Sequence, residues 1–292
     1  MEWSDRMNAA ISYIEDNLAS EVDFNKAAEK ACCSLFHFQR MFFAIIGVTP
    51  AEYTRRRRLT LAAREFTTGG DKVIDVAMKY GYDSPEAFTR AFRNLHGINP
   101  QAARTPGVKL AAFPRVSFLV ELKGGNDMDY RIIEKPAFNL VGRSVKFGVA
   151  NGEFKSKGRT FWGKYVASEE YKALCNLTAG KYGTVTGAHV MSVYLPNENG
   201  TWDPMVNVFG IEKNENMDTT GFEIFNIPAA TYTEFDCTFK TSSSTNKRIY
   251  SEWFPSTGYE PDDKPDIALF FQVPWNRMIY VRWWVPIVKK QK

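Results

Sequence analysis

Ser34-Leu-Phe-His-Phe-Gln-Arg-Met-Phe-Phe-Ala-Ile-Ile-Gly-Val-Thr-Pro50 recurs fifty residues later as Ser84-Pro-Glu-Ala-Phe-Thr-Arg-Ala-Phe-Arg-Asn-Leu-His-Gly-Ile-Asn-Pro100. Both copies read Ser-x3-Phe-x-Arg-x-Phe-x4-Gly-x2-Pro, so Phe38, Arg40, Phe42, Gly47 and Pro50 match Phe88, Arg90, Phe92, Gly97 and Pro100. One structural unit is therefore used twice. Ser34 and Ser84 are good helix N-caps, because a hydroxyl can accept from an orphan amide of the first turn. Pro85 follows at the first helical position, where its missing N–H costs nothing. Phe38, Phe42 and Ile45, like Phe88, Phe92 and Leu95, fall at i, i+4 and i+7 and make one apolar stripe per helix. Gly47 and Gly97 end the helices, and the prolines three residues on start the next ones.

Opposite the stripe lie Phe36, Gln39, Arg40 and Phe43 in copy one, and Glu86, Thr89, Arg90 and Arg93 in copy two. Upstream of each cap a short helix is expected, Phe24 to Ala31 with Ala27 at the contact and Val73 to Tyr80 with Ala77. A tight crossing of two short helices needs such a small residue, and Gly81 suits the turn. The pattern reads as two helix-turn-helix units, each presenting its second helix outward.

With these motifs, residues 8–104 resemble the DNA-binding domain of the AraC/XylS transcriptional regulators; the Tyr80-Gly81-Tyr82-Asp83-Ser84 run adds to the match. The resemblance implies seven helices, with a long linker helix at about Pro50 to Thr68 and each second helix in a major groove. By position it implies that Phe36, Gln39 and Arg40, then Glu86, Thr89 and Arg90, face base edges. Ser34, Arg55, Arg58, Ser84 and Arg93 are the phosphate contacts expected beside them. Phe36 stands where close relatives often carry Trp.

At 292 residues the chain is long enough for two domains. The net charge of +4 identifies no partner: residues 1–106 hold 14 Lys and Arg against 13 Asp and Glu. Local placement matters more. Arg55-Arg56-Arg57-Arg58 is the densest cation run, yet four consecutive helical residues point four ways, so at most two meet one DNA backbone; the others suit structural ion pairs. Four cysteines, two of them adjacent, make no disulfide framework. His37, His96 and His189 lie too far apart in sequence to suggest a metal site. The expectation is no metal, no cofactor and no catalytic residue. The N-terminus has no signal-peptide pattern and no run reaches the roughly 18 apolar residues of a membrane span, so a cytoplasmic protein is expected.

Composition shifts after Arg104. Residues 1–106 are expected to form the double helix-turn-helix domain and 107–127 a linker, with Arg115 to Leu122 as an edge strand or docking arm and Lys123 to Asp127 as a turn-rich segment. Residues 128–292 read as α+β: strands in Tyr130 to Val145, a helix in Lys157 to Leu177, and strands near His189–Tyr194, Met205–Ile211, Phe222–Phe225 and Thr231–Cys237. A helix near Thr245–Trp253 and strands Ile267–Val273 and Met278–Ile287 complete it. The fold class expected is thus multidomain, all-α followed by α+β.

Leu140-Val141-Gly142-Arg143, Ile227-Pro228-Ala229-Ala230-Thr231-Tyr232, Trp253-Phe254-Pro255-Ser256-Thr257-Gly258-Tyr259-Glu260 and Arg282-Trp283-Trp284-Val285-Pro286-Ile287 occur in this order. They resemble the GyrI-like effector-binding domain, two βαββ units around a small-molecule cavity, and with the first half give a Rob-type architecture. Aromatic residues are abundant: Trp162, Tyr194, Trp202, Phe225, Trp253, Tyr280 and Trp284, with Arg282, are the candidate ligand contacts, and Phe147, Phe271 and Trp275 add to the set. Alternation puts Tyr280, Arg282 and Trp284 on one strand face. Where family members often project a glutamate, this chain has Arg282, which favours a neutral or anionic ligand. The rival is that Arg282 pairs internally with Glu223, Glu234 or Asp236, or that the two faces are swapped. The function expected is a transcriptional regulator that binds double-stranded DNA, with an effector shifting DNA affinity or contact with RNA polymerase. Two alternatives stand beside it: a C-terminal half that binds a protein partner, or one that hydrolyses small compounds.

Overall fold

A computed structural model describes residues 3–118, 127–148, 153–178, 180–272 and 279–290. By its contacts the chain divides into two units, residues 1–38 with 48–119, and residues 39–47 with 120–292.

The first unit is helical. Six helices run α1 (Trp3–Asp16), α2 (Phe24–Lys30), α3 (Leu35–Ile46), α4 (Pro50–Thr68), α5 (Val73–Lys79) and α6 (Pro85–His96), and a 3₁₀ turn follows at Pro100–Arg104. Helix α3 is divided: its residues from Gln39 onward count with the second unit. Helix α4 starts where Thr49 Oγ1 accepts from the Glu52 amide and Pro50 takes the first turn, and it forms over the span expected. Its inward side, Leu59, Ala62, Ala63 and Phe66, packs with Val76, Ala77, Phe88 and Phe92 into one core. At the contact-forming positions of α2 and α5, Ala27 and Ala77 are fully buried.

Residues 115–118 form no strand; they dock on the helices. Asn8 closes a pair of bonds with the Phe118 backbone, its Nδ2 donating to the carbonyl and its Oδ1 accepting from the amide, at 2.8 Å each. The Val116 amide donates to Tyr53 Oη. Residues 119–126, the rest of the expected strand and most of the turn-rich segment, lie outside the described residues.

The second unit is built on an antiparallel sheet of β1 (Arg131–Lys135), β2 (Phe138–Phe147), β3 (Val190–Leu195), β4 (Met205–Glu212), β5 (Glu223–Ile227), β6 (Ala230–Thr238), β7 (Tyr259–Pro261), β8 (Asp266–Gln272) and β9 (Ile279–Lys289). Strand order is β1-β6-β9-β8-β3-β4-β2-β5, with β7 beside β9. Helices α7 (Glu153–Val166) and α8 (Glu169–Asn176) follow β2, and α9 (Ser242–Arg248), continued by a π turn at Ile249–Trp253, follows β6. The single helix expected over Lys157 to Leu177 is two, because Ser168 caps α8 through the Tyr171 amide.

The plan is β-α-β-β used twice, β2-α7-α8-β3-β4 and β6-α9-β8-β9, each preceded by a strand that pairs with the other module. Thus β1 pairs with β6, and β5 with β2. Only Pro136-Ala137 separates β1 from β2 and only Pro228-Ala229 separates β5 from β6. Since β1 and β2 lie near opposite ends of the strand order, such short links require the sheet to curl. Inside the curl Leu140, Met191, Val193, Val208, Tyr232, Ile267, Leu269 and Trp284 form a buried cluster. The other face carries helices: Leu174 of α8 covers Val141, Val190 and Ile211, and Trp162 of α7 stands edge-on to Phe209, with ring centroids 4.0 Å apart.

Candidate nucleic-acid interface and effector site

In copy two the reading helix α6 begins where Ser84 Oγ accepts from the Ala87 amide at 3.1 Å. It ends at Gly97, whose φ of 77° is left-handed backbone that glycine takes without strain. Phe88 and Phe92 are fully buried and meet Phe66 edge-on. Leu95 packs partly buried against the same cluster, and His96 is buried beside it, its Nε2 3.2 Å from Leu59 O; burial holds its imidazole below the usual range. Rotating the stripe inward turns Glu86, Arg90 and Arg93 out to solvent with Thr89 half-buried beside them. These side chains line an open groove of about 670 Å3 together with Pro85, Asn94 and Asn99. The sequence reading omitted Asn94 and Asn99; Asn94 stands four residues past Arg90, so helical spacing was its signal.

Copy one is placed differently. Ser34 Oγ accepts from the His37 amide at 3.2 Å, the counterpart of Ser84, but Phe36 is buried and Arg40 is only 2 % exposed. Arg40 Nη1 donates to Lys264 O at 2.9 Å and Nη2 to Asp262 O at 3.3 Å. Its Nη1 lies 3.5 Å from Asp266 Oδ1, and its guanidinium carbon stands 5.8 Å from the Tyr250 ring centre. Tyr250 Oη donates to the other Asp266 oxygen at 2.7 Å. Burial raises the Asp266 carboxyl above its ordinary range, with Arg40 opposing the shift. Beside Arg40, Gln39 Oε1 accepts from the Trp202 amide at 2.7 Å. Gln39, Arg40, Trp202, Tyr250, Asp262, Lys264 and Asp266 all belong to the second unit.

The arginine run is largely engaged within the chain. Arg55 and Arg56 both bond the Glu52 carboxylate. Arg57 bonds Glu15, whose carboxyl burial would raise; bonds from Arg57 and Tyr53 outweigh burial and hold it low. Arg58 donates to the Leu18 and Ser20 carbonyls. Arg55 keeps 41 % of its side chain exposed.

The eight candidate ligand contacts divide between the two sheet faces. Trp162, Tyr194, Trp202 and Trp253 go with the helix-covered face: Tyr194 stacks on Trp202 and Trp283, and Trp253 stands edge-on to Phe235. Tyr280, Arg282 and Trp284 share the inner face, as strand alternation requires, with Phe225 partly buried against its cluster. Trp275 lies outside the described residues. Arg282 is paired internally: Nε donates to Asp236 Oδ1 at 2.6 Å, and Nη1 stands 3.5 Å from Glu234. Glu234 also accepts from Trp284 Nε1 at 2.9 Å and from Arg131 Nε at 2.8 Å. Two guanidinium groups thus offset two carboxylates. Next to this quartet is a recess of about 410 Å3, lined among others by Asp127, Asp129, Tyr130, Arg131, Glu234 and Asp236. No helix among the described residues is long and apolar enough to cross a membrane.

Comparison with known proteins accounts for both halves. A family described as helix-turn-helix domain matches residues 27–105, and one described as integron-associated effector binding protein matches residues 131–287. The HTH-type transcriptional activator AarP of Providencia stuartii is 38% identical over 92 residues, 32% of this chain and 68% of that protein. The multiple antibiotic resistance protein MarA of Escherichia coli (strain K12) is 31% identical over 98 residues, 34% of this chain and 77% of that one. Among solved structures, SAV2435 bound to tetraphenylphosphonium aligns with 55% of this chain and 94% of its own at 11% identity and a TM-score of 0.45. The chain belongs to the AraC-type transcriptional regulators, as a DNA-binding protein that carries a C-terminal effector-binding domain of the integron-associated, GyrI-like kind.

Proposed function

We propose that α6 reads a DNA major groove through Glu86, Thr89 and Arg90, with Ser84 and Arg93 on the flanking phosphates. Gln39 and Arg40, with Phe36, are the corresponding set of copy one, and the partly exposed Arg55 is the phosphate contact of α4. The outward face of α6 carries this reading: a capped helix with its aromatic stripe buried sets a guanidinium, a carboxylate and a hydroxyl side by side along an open groove. Arginine matches the two acceptors of guanine, and phosphate contacts fix register without choosing sequence. Selection of duplexes from a random pool tests it. Arg90→Ala should relax base preference at one or two positions, costing on the order of 1–3 kcal/mol. An unchanged selected sequence contradicts the assignment.

The effector is a small molecule held at the recess between β1, β6 and α9. Its volume of about 410 Å3 lies within the range of ligand sites, roughly 300–1,000 Å3. Arg131 and Arg282 are already committed to Glu234 and Asp236, and Arg248, which also lines the recess, bonds Glu252. With Asp127 and Asp129 adding negative charge, an anion finds no guanidinium there that is not already bonded to a carboxylate. Tyr130 presents a ring at the rim, so a flat neutral or cationic compound fits best. Titration with a cationic and an anionic dye of similar size checks this: tighter binding of the anion contradicts it.

A further inference from the structure

We infer that Asp266, Tyr250 and the Asp262 and Lys264 carbonyls form a guanidinium cradle that competes with DNA for Arg40, so that the chain as folded here reads DNA through copy two alone. This rests on the reading of α3 and α6 as the DNA-reading helices. Both terminal nitrogens of Arg40 are engaged, one on the Lys264 carbonyl and close to Asp266, the other on the Asp262 carbonyl. These are the donors a bidentate contact to guanine needs. One guanidinium cannot hold both sets of acceptors. Gln39 is engaged in the same way, its Oε1 taken by the Trp202 amide.

The cradle has the features of a built site rather than an incidental contact. It supplies a carboxylate, two carbonyl oxygens and an aromatic ring to one cation, which is how a buried guanidinium is kept. Its carboxylate is itself oriented by Tyr250 Oη. Asp266 starts β8, and β8 pairs along its length with β9, the strand that carries Arg282. The recess is lined from β6, and β9 alone lies between β6 and β8, so an effector there acts two strands away from the group that holds Arg40. Copy two differs at the same position, since Arg90 is exposed.

Because apparent affinity falls in proportion to the binding-competent fraction, weakening the cradle raises DNA affinity. The experiment measures binding of the full chain and its variants to a duplex selected from a random pool by the Asp266→Asn variant, or by Tyr250→Phe where Asp266→Asn does not fold, so that the duplex carries a site for each reading helix. Asp266→Asn should bind roughly tenfold tighter than the parent. Glu169→Gln, the same charge change at a side chain 89 % exposed, should stay within about twofold. Adding Arg40→Ala to Asp266→Asn should remove the gain. Equal effects of Asp266→Asn and Glu169→Gln, or none from either, overturn the proposal. If Asp266→Asn does not fold, Tyr250→Phe decides: a smaller rise in affinity supports the cradle and no rise overturns it. Arg90→Ala in the same assay separates the two readings, because its failure to weaken binding rejects α6 as the reading helix and not the cradle.

Discussion

The two copies of the helix-turn-helix share a scaffold and differ in what surrounds it. Ser34 and Ser84 cap their helices alike, and Phe38 and Phe88 are both fully buried. Yet Arg40 is enclosed by Asp266 and two carbonyls, while Arg90 is exposed along the α6 groove. A repeated motif therefore specifies how a helix folds and not what its outward face meets. The turns differ as well. In copy two the left-handed position is Gly81, at φ 74°; in copy one it is Cys32, at φ 54°, a non-glycine residue where L side chains are strained.

The shared scaffold gives the largest expected effects. Phe38→Ala and Phe88→Ala should each cost about 3–5 kcal/mol in denaturant unfolding, since a buried aromatic leaves a cavity that packing does not refill. If one copy tolerates the change, the two are not equivalent as scaffolds. Stability next separates the two arginines. Arg40→Ala leaves Asp266 buried without its cation and should cost about 3–5 kcal/mol, whereas Arg90→Ala should leave stability within about 0.5 kcal/mol and act on DNA recognition only. Similar costs for both would erase the contrast.

At the recess, Arg282→Glu replaces one guanidinium of the quartet with a third carboxylate. Affinity for a cationic dye should rise several-fold over an anionic one of similar size; unchanged selectivity removes the recess as the effector site. The smallest effect concerns the turns: Cys32→Gly should stabilise the chain by roughly 0.5–1 kcal/mol through relief of the left-handed backbone. Destabilisation would mean that the Cys32 side chain contributes more than its backbone costs.

Much of this architecture was legible. The start of helix α4 could be placed because Pro50 follows the Gly47 stop, and its extent to Thr68 was implied by the family resemblance. The face shared by Tyr280, Arg282 and Trp284 followed from alternation alone. The break between α7 and α8 was missed because Ser168 is as compatible with a helix interior as with a cap until its hydroxyl is seen on the Tyr171 amide. The three-residue strand β7 is too short to show a period. The matched Pro136-Ala137 and Pro228-Ala229 links marked the second duplication and were open to reading. Arg40 lay beyond any local rule, since its carbonyl partner at Lys264 is 224 residues away along the chain.

The contrast between the copies is tested most directly by footprinting the parent chain and Asp266→Asn on a duplex selected by Asp266→Asn. One protected major-groove segment is expected for the parent chain, and two segments about 34 Å apart for Asp266→Asn. Two equally protected segments in both proteins would contradict it.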